Sequence, residues 1–316
     1  MVTIGSIEVS PPLLNSSCAW SSDLGHLQGL YDSPFTGAIT TRTATLEGFK
    51  QDESHTVVFS NASTTALNSY GYSPHPLSQY LVWVKQILQK SNSDKPIIVS
   101  ITSHTEEGLK SLVSAIQGLR QEIGDMARTP SRVAIELNTS CPNIKNASPS
   151  GYAFHLLKPL LHVLAEAATA DSSLTVGLKL PPYVYREQFV DALEVLSELG
   201  PASFIAFLTC CNTLGNSLLF PEQVGAASTD SQFAVPTALG GLSGESVHAL
   251  ALGNVFSFAK LIHGPEACFT TLSKIRIIGV GGVTSKDAAE RAGADAVACA
   301  TFFGKEGVRA FEILSS

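Results

Sequence analysis

Charge is scarce in this chain: Asp, Glu, Lys and Arg make up 15% of its 316 residues, against 44% hydrophobic residues. With a net charge of −7 there is no basic surface to meet a phosphate backbone, so nucleic acid is excluded as the main partner. Paired cysteines are also missing. The six cysteines, at positions 18, 141, 210, 211, 268 and 299, include no CxxC spacing. That excludes a zinc pattern or a disulfide framework, and it suits a reducing cytosol. No metal is expected. No apolar run reaches the roughly 18 residues of a membrane span, and Met1–Pro12 lacks the basic and apolar regions of a signal peptide. A membrane partner is therefore not expected. Repeats, low-complexity tracts and linkers are absent as well, which predicts a single domain over 1–316.

What is present is an alternation of short apolar runs with helical patterns. Strands are expected at Pro12–Ser16, Gly37–Thr41, Pro96–Ile101, Arg132–Leu137, Thr175–Leu180, Phe204–Thr209, Ile275–Val280 and Ala296–Ala300. Several are densely apolar rather than alternating, as for parallel strands covered on both faces. The clearest helix is Glu106–Ile123, where Leu109, Leu112, Val113, Ile116 and Leu119 recur at steps of three and four. Others are predicted at Pro159–Ala168, Arg186–Leu199, Glu245–Ile262 and Gly304–Leu314, with a short one at Ser285–Gly293. About eight strand–helix units make a (β/α)8 barrel, of class α/β. An open doubly wound sheet would carry a glycine-rich loop after its first strand, and none follows Leu13-Leu14. Two segments, 43–80 and 212–242, exceed a simple connection. They are read as loop insertions at the C-terminal face of the barrel, the first holding a short strand at Thr56–Ser60.

Catalytic groups of such barrels sit at the C-terminal ends of strands. Ser16, Ser17, Arg42, Ser100, Asn138, Cys141, Asn143, Lys179, Asn212, Gly281, Gly282 and Thr301 all fall at or just past an expected strand end. The densest group is Asn138-Thr139-Ser140-Cys141-Pro142-Asn143, where a thiol able to exchange a proton lies between carboxamides able to grip a flat polar ring. A tight turn with Cys141 as a small hydrophobe is the plainer alternative. Lys179 lies in an apolar strand end before two prolines, which favours an inward cation over a snorkelling one. Gly279-Val280-Gly281-Gly282-Val283 offers bare N–H groups to a phosphate but is not a GxGxxG fingerprint. His104, His155, His248 and His263 are read as surface or packing residues, Cys210-Cys211 as packing at a strand end, and Leu81-Val82-Trp83 as core or interface.

Taken in order, Asn68-Ser69-Tyr70-Gly71, Asn138–Asn143, Lys179-Leu180-Pro181-Pro182-Tyr183, Asn212-Thr213-Leu214-Gly215-Asn216, Gly240-Gly241-Leu242-Ser243-Gly244 and Gly279–Val283 resemble the motifs of the dihydroorotate dehydrogenases over nearly the whole chain. Cysteine in the Ser-Cys-Pro-Asn loop is similar to the soluble class 1, and Leu-Pro-Pro-Tyr to class 1A. The resemblance implies a cytoplasmic homodimer that binds FMN, oxidises dihydroorotate to orotate in pyrimidine biosynthesis and passes electrons to fumarate. It implies Cys141 and Lys179 as catalytic residues and Asn68, Tyr70, Gly71, Asn138, Asn143, Asn212 and Thr213 as substrate ligands. It implies Ser16, Ser17, Arg42, Ser100, Asn138, Lys179, Gly240, Gly241, Gly244, Gly281, Gly282, Ala300 and Thr301 around the cofactor.

The chain also departs from the family pattern. Asn15-Ser16-Ser17-Cys18 stands for Asn-Ala-Ser-Gly, Arg42 for a lysine, Ser217 for a glycine and Ala300-Thr301 for Gly-Thr, with bulky Phe302 after it; Ile144–Ser148 lacks the usual Pro-Gly-Lys-Pro-Gln. These changes leave two alternatives open: a related FMN oxidoreductase acting on another heterocycle or enone, and a degenerate non-catalytic paralogue. An aldolase with Lys179 as a Schiff base is weaker, because it leaves the carboxamides unexplained.

Overall fold

The structure is a computed structural model that describes residues 1–141, 143, 150–199, 204–224 and 232–316. Pro142 and the departing loop Ile144–Ser148 lie outside the described residues. The chain starts with a hairpin, β1 Val2–Ile4 and β2 Ile7–Val9, turned at Gly5 with φ 58°. β3 Leu13–Asn15, helix α1 Leu24–Asp32 and β4 Ile39–Thr40 follow. Next come β5 Val57–Phe59, β6 Ala66–Asn68 and α2 Leu77–Lys90. The middle of the chain is regular: β7 Ile97–Ile101, α3 Glu106–Glu122, β8 Val133–Asn138, α4 Lys158–Ala170, β9 Thr175–Leu180, α5 Arg186–Glu198 and β10 Ile205–Cys210. β11 Leu214–Leu218 and β12 Leu239–Ser243 lead to α6 His248–His263, β13 Arg276–Val280, α7 Lys286–Arg291, β14 Ala296–Cys299, α8 Thr301–Glu306 and α9 Arg309–Ser315.

Eight strands form one parallel sheet in the order β3-β14-β13-β10-β9-β8-β7-β4, and a parallel bridge from Leu14 to Ala38 joins its two edges. This is the (β/α)8 barrel that the sequence predicts, and each of its strands overlaps an expected one. β4 has only two residues, so the ladder at the seam is thin. The side chain of Asn15 staples it: Thr40 N donates to Asn15 Oδ1 at 2.8 Å, and Asn15 Nδ2 donates to Thr40 O at 2.7 Å. Leu109, Leu112, Val113, Ile116 and Leu119 of α3 are all buried, as their spacing requires.

The hairpin β1-β2 plugs the N-terminal end of the barrel. Ile4, Ile7 and Val9 are fully buried against Leu14, Ile98, Ala134, Phe207 and Ile278. The ring of Phe207 occupies the space that a side chain on Gly177 would need. Active chemistry is thereby confined to the opposite end.

There the two long insertions combine. β5 and β6 come from the first and β11 and β12 from the second, forming an antiparallel sheet in the order β11-β12-β6-β5. Gly241 is paired with Asn68 across 173 residues of chain. The sequence shows only one of these four strands, since the others are short, Gly- or Ser-containing, and stabilised by pairing rather than propensity.

Other elements differ from expectation. α1, α2 and the N-terminal hairpin were not anticipated. Residues Gly244–Val247 form a 3-10 turn before α6. The helix expected over Gly304–Leu314 is split into α8 and α9 at Gly307, whose φ of 63° lies outside helical space. In α2, Trp83 packs edge-on against His75 and Tyr80 with centroids 5.2 and 5.1 Å apart, while Val82 is exposed. Among the described residues no helix is long and apolar enough to cross a membrane, and no three His, Cys, Asp or Glu residues are grouped to hold a metal.

Candidate active site

A cavity of about 1070 Å³, its open mouth included, lies between the C-terminal strand ends and the antiparallel sheet. Parallel strands place alternate side chains inside the barrel, so Glu136 and Asn138 of β8, Gly177 and Lys179 of β9, and Thr209 of β10 point inward. The residues that reach the rim form three groups.

The first group is a wall of carboxamides. Asn143 Nδ2 donates to Asn68 Oδ1 at 3.1 Å and to the Tyr70 carbonyl at 2.8 Å, fixing the segment that carries Gly71. Asn68 Nδ2 donates to Gly241 O at 3.1 Å. Opposite, Asn212 Nδ2 donates to Asn138 Oδ1 at 3.2 Å and to Ser140 Oγ at 3.0 Å, while Thr213 N donates to Asn212 Oδ1 at 2.9 Å. Asn68, Tyr70, Gly71, Asn138, Asn143, Asn212 and Thr213 all line the cavity.

The second group carries charge and the thiol. Lys179 is buried, its Nζ donates to Ser17 O at 3.2 Å, and among the described residues no carboxylate pairs with it. Arg42 bridges two loops, from Ser22 Oγ to the Gly71 carbonyl at 3.3 Å each, and its guanidinium lies 5.2 Å from the Tyr70 ring centre. Cys141 lines the same cavity. Burial pushes its thiol up from the usual range; a backbone hydrogen bond at Asn143 and the charges of Lys179 and Arg42 pull the other way.

The third group is a glycine cradle. Gly244, Gly281 and Gly282 have φ of 76°, 133° and 63°. A side chain on Gly282 would put its Cβ 2.5 Å from Gly244 O and 2.7 Å from His248 Cβ. His248 holds this turn from behind, its Nδ1 2.8 Å from the Gly281 carbonyl. The hydroxyls of Ser16 and Thr64 are buried at the cavity wall with no partner among the described residues. Ala300 and Thr301 complete the rim; Ala300 has φ −128°, which an L residue adopts without strain, so glycine is not required there.

Three expected cofactor residues do not line the cavity. Ser100 is fully buried behind it, bonded to Glu136 and Thr43, because its strand position faces the barrel interior one layer down. Gly240 and Gly241 belong to β12, where Gly241 has the side chain of Thr213 close against it. Conversely, Cys18, Trp20, Thr43, Thr64, Tyr72 and Cys211 line the cavity unanticipated. Strand alternation could have identified Cys211, which follows Thr209 by two; Cys210 and Cys211 both pack in the core, as expected. Tyr72 lies on a loop and Trp20 in the 3-10 turn Ala19–Ser21, whose paths only the fold reveals. His104 and His155 are exposed, and His263 bonds Ile275 O at 2.9 Å, so these three serve no site here.

The family model for dihydroorotate dehydrogenase matches residues 2–315. The chain belongs to the dihydroorotate dehydrogenase family. It is 27% identical to the probable dihydroorotate dehydrogenase A (fumarate) of Streptococcus pneumoniae serotype 4, over 99% of this chain and 90% of that protein. It is 29% identical to the dihydroorotate dehydrogenase (fumarate) of Lachancea kluyveri and 28% identical to that of Kluyveromyces lactis, each over 96% of this chain and 87% of the relative.

Members of this family are in general flavin-dependent, and the cavity can be tested against such a group. The left-handed glycines leave backbone N–H groups open to an anion, the unpartnered Ser16 and Thr64 hydroxyls need a ligand, and Lys179 carries an unmatched charge. The residues fit a flavin phosphate.

Proposed function

We propose that the protein oxidises dihydroorotate to orotate with FMN as cofactor and fumarate as electron acceptor, a step of pyrimidine biosynthesis. The observation that carries this reading is the convergence of Cys141, Lys179 and the carboxamides of Asn68, Asn138, Asn143 and Asn212 on one cavity that also holds a glycine cradle. The fumarate enzymes named among its relatives support the acceptor.

In this reading Asn68, Asn143, Asn212 and Thr213 grip the substrate ring, and Tyr70 and Gly71 close over it. Asn138 contacts substrate and cofactor. Cys141 Sγ removes the C5 proton. FMN, when bound, supplies the redox chemistry by accepting the C6 hydride. Lys179 provides positive charge that stabilises the reduced cofactor and the Cys141 thiolate. Ser16, Ser17, Arg42, Gly244, Gly281, Gly282, Ala300 and Thr301 hold the cofactor, while Ser100, Gly240 and Gly241 act from behind the wall.

Anaerobic titration tests this directly. Dihydroorotate should bleach the flavin absorbance of the purified protein, and fumarate should restore it. Bound flavin that dihydroorotate leaves yellow would remove the substrate assignment. Gly282→Val should yield a folded protein that retains little FMN, because its side chain must enter the space of Gly244 and His248; full flavin content would contradict the cradle.

The pH dependence has a definite sign. The thiolate is the base, so kcat/KM should rise with pH as Cys141 ionises. Lys179 stabilises that thiolate, and Lys179→Met should therefore move the rising limb to higher pH. A limb that stays or moves to lower pH would refute this role.

The same reading makes the protein a cytoplasmic homodimer. Leu156 and Val184, each 63% exposed, and Tyr185, 56% exposed, are apolar side chains of the kind a second copy covers. A monomer mass at micromolar concentration would exclude the dimer.

A further inference from the structure

Glu136 is a carboxylate 2% exposed inside the barrel, one layer below the cavity. Ser100 Oγ donates to its Oε1 at 3.0 Å, and Thr209 Oγ1 donates to its Oε2 at 2.8 Å, reaching across Gly177. A hydroxyl carries one proton, so Ser100, having donated to Glu136, must accept from Thr43 Oγ1, 3.0 Å away. Thr43 has then spent its own proton. Its oxygen can only accept, and it receives Asn138 Nδ2 at 2.9 Å and the Ser17 hydroxyl at 3.0 Å. With its NH2 committed downward, Asn138 must present Oδ1 upward, where the Ser140 N–H and Asn212 Nδ2 donate to it. Asn212 in turn keeps its Oδ1 on the Thr213 N–H.

We propose that Glu136 is a positioning residue: through Ser100 and Thr43 it sets the direction of a hydrogen-bond chain, and so works with the Ser140 N–H to hold Asn138 with its NH2 on Thr43 and its Oδ1 toward Asn212. Without the carboxylate at its foot the chain can run either way, and Asn138 loses the acceptor below it, leaving the Ser140 N–H as the backbone contact that orients it. Ring recognition depends on that choice, because a flipped amide sets donor against donor. This rests on the proposed grip of Asn138 and Asn212 on the substrate. It also gives Ser100 a role that no direct cofactor contact supplies.

Ser100 and Thr209 provide a matched pair of deletions. Each removes one hydrogen bond from the same carboxylate, but only Ser100 connects it to Asn138. Ser100→Ala should weaken orotate binding by about tenfold or more, and Thr209→Val by about threefold or less. Thr43→Val should behave like Ser100→Ala, and Thr43→Ser should restore binding. The side-chain NH2 resonances of Asn138 and Asn212 in the ligand-free protein should shift in Ser100→Ala and not in Thr209→Val. That NMR readout needs no substrate, so it separates the two claims: wild-type protein that does not bind orotate removes the substrate assignment, whereas equal resonance shifts in both variants, or none in either, overturn the positioning role. If Ser100→Ala does not fold, the Thr43 pair decides, and equal behaviour of Thr43→Val and Thr43→Ser overturns it.

Discussion

Cys141→Ala is expected to slow turnover of dihydroorotate by about 10²- to 10⁴-fold, the range lost with a positioned general base. The thiol lines the cavity beside the carboxamide wall and can exchange a proton. Among the other cavity cysteines, Cys211 and Cys299 are buried and burial raises their thiols to about 12, while Cys18 is half-buried and raised as well. Burial raises the Cys141 thiol too, with a backbone hydrogen bond at Asn143 and the charges of Lys179 and Arg42 acting the other way. Binding should survive the change, because its ligands are amides and glycines; the flavin content should be that of wild type and orotate affinity should change little. Stopped-flow reduction of the flavin measures the step itself. Reduction at a wild-type rate would assign the base elsewhere.

Arg120→Ala is expected to cost about 3–5 kcal/mol of stability, the loss found when one partner of a buried ion pair is removed. Arg120 and Asp125 are both fully buried at 3.1 Å. The guanidinium also bonds Gln117 Oε1 at 2.7 Å and Ser173 Oγ at 2.8 Å, and pairs with Asp171. Asp125 keeps the Ser131 hydroxyl at 2.6 Å and the Arg132 N–H at 2.7 Å, but its charge would have no counterpart. This cluster ties α3 to the starts of β8 and β9, at the end of the barrel remote from the cavity. Urea unfolding should show the loss, with per-molecule turnover unchanged below the transition. An unaltered midpoint would contradict the accounting.

A pH effect accompanies it. Partial burial works to raise the Asp171 carboxyl, but hydrogen bonds from Ser173 and Gln117 and the Arg120 charge outweigh it and hold the group below the usual aspartate range. A depressed folded pKa adds stability above the unfolded value, and that stability is lost as pH falls through the folded one. The wild type should therefore lose more stability than Arg120→Ala on acidification.

The barrel strands were legible because each is a dense apolar run bounded by turn residues, and burial on both faces requires that pattern. β7, β8 and β9 fall within a residue of their expected limits. Cys141, Lys179, Asn138 and the Gly281-Gly282 turn were legible for a related reason: polar residues at the ends of buried strands have few other uses. The depth of Ser100 was not legible, because a strand end does not reveal how deep a side chain sits. Thr43 and Glu136 were overlooked because each reads as an ordinary polar residue until its neighbours are known. Their meaning is a matter of partners.

Residue order alone thus determined the repeating strand–helix frame, the thiol among carboxamides and the glycine turn, since these depend on local hydrophobic period and backbone freedom. Tertiary structure alone decided how the two insertions pair into one sheet, which residues stand at the rim and which one layer below, and what each carboxamide faces. Those depend on strand register and on hydrogen bonds between residues as far apart as Asn68 and Gly241, which no local pattern encodes.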